Sequence, residues 1–290
     1  MNRAGSRRPR SRAGRPLVLG SLLAVCLAVG ALLLLASGGG AGGAKGPGRD
    51  AKGAGGGGLA APAKKELAQR LVSSAENSSL DWRAQYGYIE DIGDGRGYTA
   101  GIIGFTTGTH DLLTLVERYT RERPDNGLAR FLPALRGVDG SDSHEGLDPG
   151  FTGAWAREAR GRAFRAAQDA ERDRIYFDPA VRAARRDGLG TLGQFCYYDA
   201  MVMHGPGTGR AGFYGIRRAA LARADSVAEG GGEKAYLGAF LDVRRAAMRR
   251  EGRGDTSRVD TAQRVFLREG NLDLDPPLRW KVYGETYRIK

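Results

Sequence analysis

The stretch Ser74-Ala-Glu-Asn-Ser-Ser-Leu-Asp-Trp82, followed by Tyr88-Ile-Glu-Asp-Ile-Gly-Asp-Gly-Arg-Gly-Tyr-Thr99, joins a predicted helix to a predicted β-hairpin. Apolar residues precede it at the spacing i, i+1, i+4, i+5, i+8, which predicts an amphipathic helix over residues 62–75. These residues are Leu67, Ala68, Leu71, Val72 and Ala75. Residues 97–107 are rich in β-branched and aromatic side chains with Gly at intervals, which predicts the hairpin. The stretch therefore places Glu76 at a helix end and Asp94 in a glycine-rich loop.

These two carboxyl groups are predicted to lie in unlike environments. Glu76 follows Val72 by four residues and so lies at the edge of the apolar face, where partial desolvation disfavours its charged form. Asp94 lies between two glycines, where water and backbone N–H groups keep its carboxylate ionised. Acid/base cleavage of a glycosidic bond requires such a pair. Solvated surface groups would give the same spacing, so the spacing alone leaves both interpretations open.

The glycines of the loop also match part of a dinucleotide-binding fingerprint, at Gly93, Gly95 and Gly97. That fingerprint must open a helix, whereas Tyr98 and the residues after it do not have the pattern of a helix start. The three His and the few Cys of the chain show no metal-ligand spacing. Hydrolysis by two carboxyl groups needs no cofactor. We therefore expect neither a cofactor nor a metal.

The net charge of +12 over 290 residues is unevenly distributed. Residues 1–58 carry nine Lys and Arg against one Asp, and the remaining residues carry a net charge of only +4. Nucleic-acid binding needs a basic face on the folded part of the chain, so the composition argues against it. The length suffices for one large domain or for two lobes with a sizeable core.

The N-terminal residues have the pattern of an export signal. A basic segment from Arg3 to Arg15 precedes the apolar run Leu17 to Ala36, and small residues follow. Residues 1–37 are thus predicted to export the protein, 38–60 to form a Gly/Ala-rich linker, and 61–290 to form the folded domain. The twenty apolar residues could also span a bilayer, so a retained anchor through residues 17–36 is the alternative. Without this leader Cys196 is the only cysteine, so no intramolecular disulfide is possible.

The rest of the chain is predicted to be mostly helical. Residues 189–204 are apolar nearly all round, which predicts a central buried helix. A short extended tail is expected to follow Pro276-Pro277. We therefore predict a mainly α (α+β) fold, with two helical lobes and the small hairpin lining a cleft between them. The other predicted helices cover residues 80–92, 111–121, 128–135, 155–173, 179–186, 233–251 and 261–268.

The opening stretch resembles the signature of glycoside hydrolase family 46, the actinobacterial chitosanases. The resemblance continues from residue 64 to the C-terminus. It includes Glu171-Arg-Asp-Arg-Ile-Tyr-Phe-Asp-Pro-Ala-Val181, Gln194-Phe-Cys-Tyr-Tyr-Asp199, Met203-His-Gly-Pro206 and Asn271-Leu-Asp-Leu-Asp-Pro-Pro277. It implies a lysozyme-like fold and a secreted enzyme whose substrate is chitosan, a β-1,4-linked glucosamine polymer.

The resemblance implies an inverting, endo-acting hydrolase with Glu76 as general acid and Asp94 as general base. Thr99 matches the residue that helps to hold the attacking water. Asp111 matches a position that recognises the sugar amine, and Glu251 is a further candidate for substrate binding. Three other residues could line the cleft or be structural: Tyr88, Arg96 and His204.

Asp199 lies in the predicted buried helix, where an unpaired carboxylate would be costly. The resemblance implies Arg244 and Arg258 as its partners. This group could be a purely structural ion-pair network, or it could hold the catalytic groups in place. Two departures concern the region of Asp111, because His110 stands where family members tend to have Gly and Thr106 where some have Cys.

Two other functions remain open from the sequence. One is a lysozyme-like muramidase acting on peptidoglycan, which the acidic substrate-binding residues disfavour because N-acetylated sugars carry no amine to pair with. The other is a non-catalytic sugar-binding module, which the intact acid, base and water-holding positions disfavour. We expect a monomer that binds chitosan, and contact with a membrane only through the N-terminal segment during export.

Overall fold

The computed structural model describes residues 57–290. The predicted export signal and residues 38–56 of the predicted linker lie outside the described residues. Ordered packing begins before the expected domain start at Ala61, because Leu59 is fully buried and its N–H donates to Gln194 Oε1 at 2.9 Å. No helix within residues 57–290 is long and apolar enough to cross a membrane.

Helices dominate the described chain, and two small antiparallel sheets accompany them. Single 3₁₀ or π turns extend or join several helices, of which three position the site: Trp82–Gly87, Asp173–Phe177 and Arg258–Gln263. The helices are α1 (Pro62–Glu76), α2 (Asp111–Glu122), α3 (Leu132–Val138), α4 (Phe151–Glu158), α5 (Arg162–Arg172), α6 (Asp178–Arg186), α7 (Thr191–His204), α8 (Phe213–Leu221), α9 (Glu233–Arg250) and α10 (Arg264–Glu269). The strands are β1 (Ile89–Asp91), β2 (Tyr98–Ala100), β3 (Phe105–Thr106), β4 (Leu278–Val282) and β5 (Glu285–Ile289).

Two separate hydrophobic cores confirm the predicted two-lobed, mainly helical fold. The larger core surrounds α7, in which Cys196, Tyr197 and Tyr198 are fully buried, as predicted for a helix that is apolar nearly all round. The helices α1, α6, α8, α9 and α10 and the strand β4 contribute the rest of this core. The smaller core is formed by the first sheet with α2, α3 and α4, and Trp155 lies fully buried in it.

One helical path joins the two lobes. Phe164 of α5 is buried in the small core, whereas Phe177, at the end of the π turn, is buried in the large core. The single helix predicted over residues 155–173 is wrong, because α4 ends at Glu158 and Gly161 adopts an extended conformation (ψ 142°) before α5. Glycine readily leaves the helical conformation, which makes it an effective break here.

One further prediction is wrong. Residues 80–92 do not form a helix: a 3₁₀ turn ends at Gly87, and Ile89–Asp91 pairs with β2 as an edge strand. Pairing with a neighbouring strand outweighs the local apolar spacing. The extended tail expected after Pro276-Pro277 is present as a paired hairpin of β4 and β5. The helix α8 was not predicted from the sequence.

The first sheet has the order β1-β2-β3 with antiparallel pairing. The predicted hairpin is thus confirmed, with β1 added to its open side. In register, Thr99 lies opposite Glu90 on one side and Thr106 on the other. Thr99 therefore occupies the centre of the sheet, next to the loop that carries Asp94.

Candidate active site

Glu76 is the last residue of α1, at the point where the helix leaves the large core. Ala75 beside it is buried, while the Glu76 side chain keeps 15% of its surface exposed. The nearest cation is Arg258, whose Nη1 donates to Glu76 Oε1 at 2.5 Å. The helix thus delivers a carboxyl group to the edge of the core, as the apolar spacing predicted, and an arginine from a distant segment holds it there.

Arg258 also belongs to a buried ion-pair network around Asp199. Its Nε and Nη2 donate to Asp199 at 2.9 and 2.8 Å, Arg244 Nη1 lies 2.7 Å from the same carboxylate, and Gln263 Nε2 donates at 2.6 Å. Burial alone would raise the pKa of Asp199, but the two guanidinium groups outweigh it and lower that pKa to about 2. The predicted pairing is therefore present. Because Arg258 binds both Asp199 and Glu76, the network is structural and also fixes the position of Glu76.

The network continues from Arg244 to His204 and Glu251. Arg244 Nε donates to His204 Nε2 at 3.4 Å, so the neutral imidazole carries its proton on Nδ1, which lies 3.6 Å from Glu251 Oε2. Burial, together with the charge of Arg244, lowers the pKa of His204 to about 4. Burial would raise the pKa of Glu251, but His204 and Arg253 lower it. His204, a candidate cleft residue in the sequence, is thus a buried residue that lies between Arg244 and Glu251.

Asp94 lies in the loop between β1 and β2, where Gly93 and Gly95 adopt positive φ angles of 71° and 79°. Arg96 binds its carboxylate from three directions: the backbone N–H at 3.2 Å, Nε at 2.8 Å and Nη2 at 2.5 Å. Charge-assisted contacts of this kind fix the orientation of the carboxylate. Arg96, a candidate substrate contact in the sequence, therefore acts on Asp94.

Thr99 presents a buried hydroxyl group beside this loop. Its Oγ1 forms no hydrogen bond with any residue in the described range, although the side chain lies in the centre of the first sheet. Buried hydroxyl groups normally have a partner. The Thr99 hydroxyl is therefore a buried group whose hydrogen-bonding capacity the described residues do not use.

Tyr88 precedes β1 and is half-buried. Its hydroxyl donates to Glu90 Oε2 at 3.3 Å. Burial, with the charges of Glu90 and Asp94, raises the pKa of Tyr88 to about 12. The Tyr88 phenol thus lies within the electrostatic influence of the candidate base.

Asp111 begins α2 and is held by neutral donors alone. Its carboxylate accepts from Thr106 N–H at 2.8 Å, Thr109 Oγ1 at 2.9 Å and Tyr176 Oη at 3.3 Å. Burial raises its pKa to about 6, and these hydrogen bonds offset only part of that rise. A cation brought close to Asp111 would stabilise its ionised form.

Tyr176 was missed by the sequence reasoning, although it lies in the quoted segment of residues 171–181. It packs against the large core while its hydroxyl binds Asp111 of the small lobe, so it joins the two lobes at the site. The structure also explains the departure at His110. This residue adopts a φ of 67°, a conformation that glycine adopts without steric cost, and its exposed ring contacts Asp139 at 2.7 Å.

The candidate residues therefore fall into two groups, one from each lobe. The large lobe supplies the acid and the network behind it, namely Glu76, Arg258, Asp199, Arg244, His204 and Glu251. The small lobe supplies the candidate base and its neighbours, namely Asp94, Arg96, Thr99, Tyr88 and Asp111. The large lobe thus carries a carboxyl group paired with a buried arginine, and the small lobe carries a second carboxylate held by an arginine of its own.

The chain is similar to known proteins over most of its length. The model of Glycosyl hydrolase family 46 matches residues 70–278. A chitosanase of Streptomyces sp. (strain N174) is 62% identical over 235 residues, covering 81% of this chain and 84% of that protein. A chitosanase of Nocardioides sp. (strain N106) is 58% identical over 233 residues, covering 80% and 84%. A co-crystal structure of chitosanase OU01 with substrate has a TM-score of 0.78 at 57% identity, covering 80% of this chain and 99% of that one.

The matched residues span both lobes and contain every candidate site residue described above. The similarity extends over most of the chain and nearly the whole of the solved structure, so it includes the fold as well as the motifs. The chain therefore belongs to glycosyl hydrolase family 46 and is a glycoside hydrolase with an α+β, lysozyme-like fold.

Proposed function

We propose that this enzyme cleaves β-1,4 linkages inside chitosan by a single displacement that inverts the anomeric centre. The observation that carries the proposal is the pair of carboxyl groups on opposite lobes, Glu76 bound to Arg258 and Asp94 bound to Arg96. The two carboxyl groups lie in different surroundings, since Glu76 is linked to a buried ion-pair network and Asp94 lies in a glycine-rich loop. The chitosanases among its relatives favour chitosan as the substrate.

Glu76 is the general acid in this proposal. It donates its proton to the glycosidic oxygen and becomes a carboxylate as the bond breaks. Arg258, at 2.5 Å, stabilises that developing negative charge and is itself fixed by Asp199. An electrostatic partner that is already in place stabilises the transition state without having to reorganise.

Asp94 is the general base. Arg96 holds its carboxylate in position, and the hydroxyl of Thr99, which the described residues leave without a hydrogen bond, supplies a second contact for the attacking water. A water held by two groups has fewer orientations to lose before attack. The proton of that water passes to Asp94 while the proton of Glu76 passes to the leaving sugar, so the overall charge is balanced.

Asp111 and Glu251 are the proposed contacts for protonated sugar amines. Asp111 begins α2, and Glu251 directly follows α9. An N-acetylated sugar offers no cation to either group. The two residues therefore favour deacetylated units of the polymer over the N-acetylated sugars of peptidoglycan.

Reducing-end release from chitosan and from peptidoglycan tests this function. We expect release from chitosan alone, with a loss of at least a hundredfold in kcat for both Glu76→Gln and Asp94→Asn. Glu66→Gln is the matched control, because Glu66 lies on the same helix but contacts Arg83 at the surface. Release from peptidoglycan alone would identify a muramidase, and release from neither would indicate a sugar-binding module.

The anomer that forms first tests the mechanism separately. Cleavage of a β-linkage with inversion gives the α-anomer, which proton NMR detects before mutarotation. Early formation of the β-anomer would exclude single displacement while leaving the substrate assignment intact.

We also propose that the enzyme is secreted. The basic segment and apolar run of residues 1–37 support this proposal. Fractionation of cells that express the full chain should place the enzyme in the medium. Recovery in the membrane fraction would favour the anchor through residues 17–36, and gel filtration of the same material tests the expected monomer.

A further inference from the structure

The C-terminal hairpin turns through a residue that is unusual for its position. Val282 pairs with Glu285, so Tyr283 and Gly284 form a two-residue turn with φ angles of 49° and 86°. Such turns favour Asn-Gly or Asp-Gly, because both central residues need a positive φ. A tyrosine with φ of 49° is unfavourable on steric grounds. The turn geometry alone therefore does not explain the presence of Tyr283.

Burial does not explain it either. Tyr283 is 45% exposed and is one of two large hydrophobic side chains in the described range that remain exposed, the other being Val227. By contrast, Tyr287 of the same hairpin stacks on Trp280 with ring centroids 5.7 Å apart. A strained residue that gains little from packing points to a role outside stability.

Two hydrogen bonds connect the C-terminal hairpin to residues close to Glu76 and its partner Arg258. Tyr283 N–H donates to Ser257 Oγ at 2.9 Å, and Ser257 directly precedes Arg258, the partner of Glu76. On the preceding strand, Trp280 Nε1 donates to Ser74 Oγ at 2.9 Å, two residues before Glu76. These contacts fix the turn beside the end of α1.

The electrostatic environment of the Tyr283 phenol agrees with this placement. Partial burial raises the pKa of Tyr283, the charge of Arg258 lowers it, and the charge of Glu76 raises it again. The candidate acid and the arginine bound to it therefore both act on this phenol, although Tyr283 remains partly exposed.

We propose that Tyr283 is a sugar-binding residue that contacts the glucosamine unit next to Glu76. Its exposed ring provides a flat apolar surface for the C–H groups of a pyranose. The ring face also attracts a protonated amine through its quadrupole. The inference rests on the proposed hydrolysis of chitosan and extends it, because it adds an aromatic contact to a site otherwise described through charged and hydroxyl groups.

Binding of a glucosamine hexamer, measured by calorimetry in the inactive Glu76→Gln background, tests the proposal. Adding Tyr283→Gly should weaken binding five- to tenfold, while the melting temperature stays equal or rises because glycine relieves the positive φ. Tyr283→Phe keeps the ring and should bind within twofold of the background. Tyr287→Ala is the matched control on the same hairpin, where we expect a lower melting temperature and unchanged affinity.

Each outcome decides between the alternatives. Affinity within twofold after Tyr283→Gly, beside a background protein that binds the hexamer, would overturn the role of Tyr283 and leave the proposed function intact. A loss in Tyr283→Phe as large as in Tyr283→Gly would overturn the ring contact, since the hydroxyl would then be the binding group. A background protein that binds no hexamer would overturn the chitosan assignment and this inference with it.

Discussion

Replacing Asp199 by Asn removes the negative charge that two buried arginines share, while it conserves the shape of the side chain. Arg244 and Arg258 both direct guanidinium nitrogens at this carboxylate, at 2.7 and 2.8 Å, and both are buried. An asparagine would offer a single acceptor oxygen and would turn an NH₂ group towards a cation. The variant is thus expected to leave the buried Arg244 without a counter-ion and Arg258 with Glu76 as its remaining carboxylate partner.

The expected loss of stability is large. A folded-state pKa of about 2, against an ordinary value of 3.8, marks a strong preference for the ionised form, equivalent to roughly 2–3 kcal/mol. Removing one partner of a buried ion pair costs about 3–5 kcal/mol, because the remaining charge is uncompensated. For a domain of this size each kcal/mol corresponds to about 2–4 °C. We therefore expect the melting temperature to fall by roughly 6–20 °C.

The dependence on pH follows from the direction of the shift. Because the folded-state pKa of Asp199 lies below its unfolded value, its contribution is complete above that unfolded value and is lost as the pH falls through about 2. The difference in unfolding free energy between wild type and Asp199→Asn should therefore be equal at pH 7 and pH 5. It should be smaller at pH 3, where the unfolded-state carboxylate is already protonated.

Urea unfolding of both proteins at these three pH values measures the difference directly. Asp242→Asn serves as the matched control, because Asp242 also binds an arginine but its side chain is 51% exposed. That surface pair should contribute less than about 1 kcal/mol. A difference for Asp199→Asn as small as that of the control at pH 7, or one that grows at pH 3, would refute the reasoning.

Three further predictions concern activity. Thr99→Val should lower kcat about tenfold or more, because it removes the hydroxyl proposed to hold the attacking water. The melting temperature should stay unchanged, because Thr99 Oγ1 has no hydrogen bond within the described chain to lose. A lower melting temperature with unchanged kcat would contradict this prediction. Arg96→Gln should lower kcat on chitosan while KM changes little, since Arg96 contacts Asp94; a change in KM alone would instead make it a substrate contact. Asp111→Asn should raise KM more at pH 7 than at pH 5, because a pKa of about 6 leaves Asp111 largely ionised only at the higher pH. An equal rise in KM at both pH values would show that the charge of Asp111 does not bind the amine.

Local sequence patterns determined much of the fold and the placement of the two carboxyl groups. The apolar spacing before Glu76 predicted α1, and the all-round apolar character of residues 191–204 predicted the buried helix α7. Glycines with β-branched and aromatic residues predicted the hairpin of β2 and β3. In each case the prediction depends on residues a few positions apart, so a single chain segment is enough to make it.

Other features were decided only by the tertiary structure, because they depend on segments far apart in the chain. Arg258 and Glu76 are separated by 182 positions, and no local pattern indicates that one guanidinium would join that acid to Asp199. The edge strand β1 and the paired hairpin of β4 and β5 exist because a neighbouring strand completes their hydrogen bonds. Packing of the two lobes likewise brings Tyr176 to Asp111 and places His204 behind Glu251, since only the folded chain determines which polar groups are buried together.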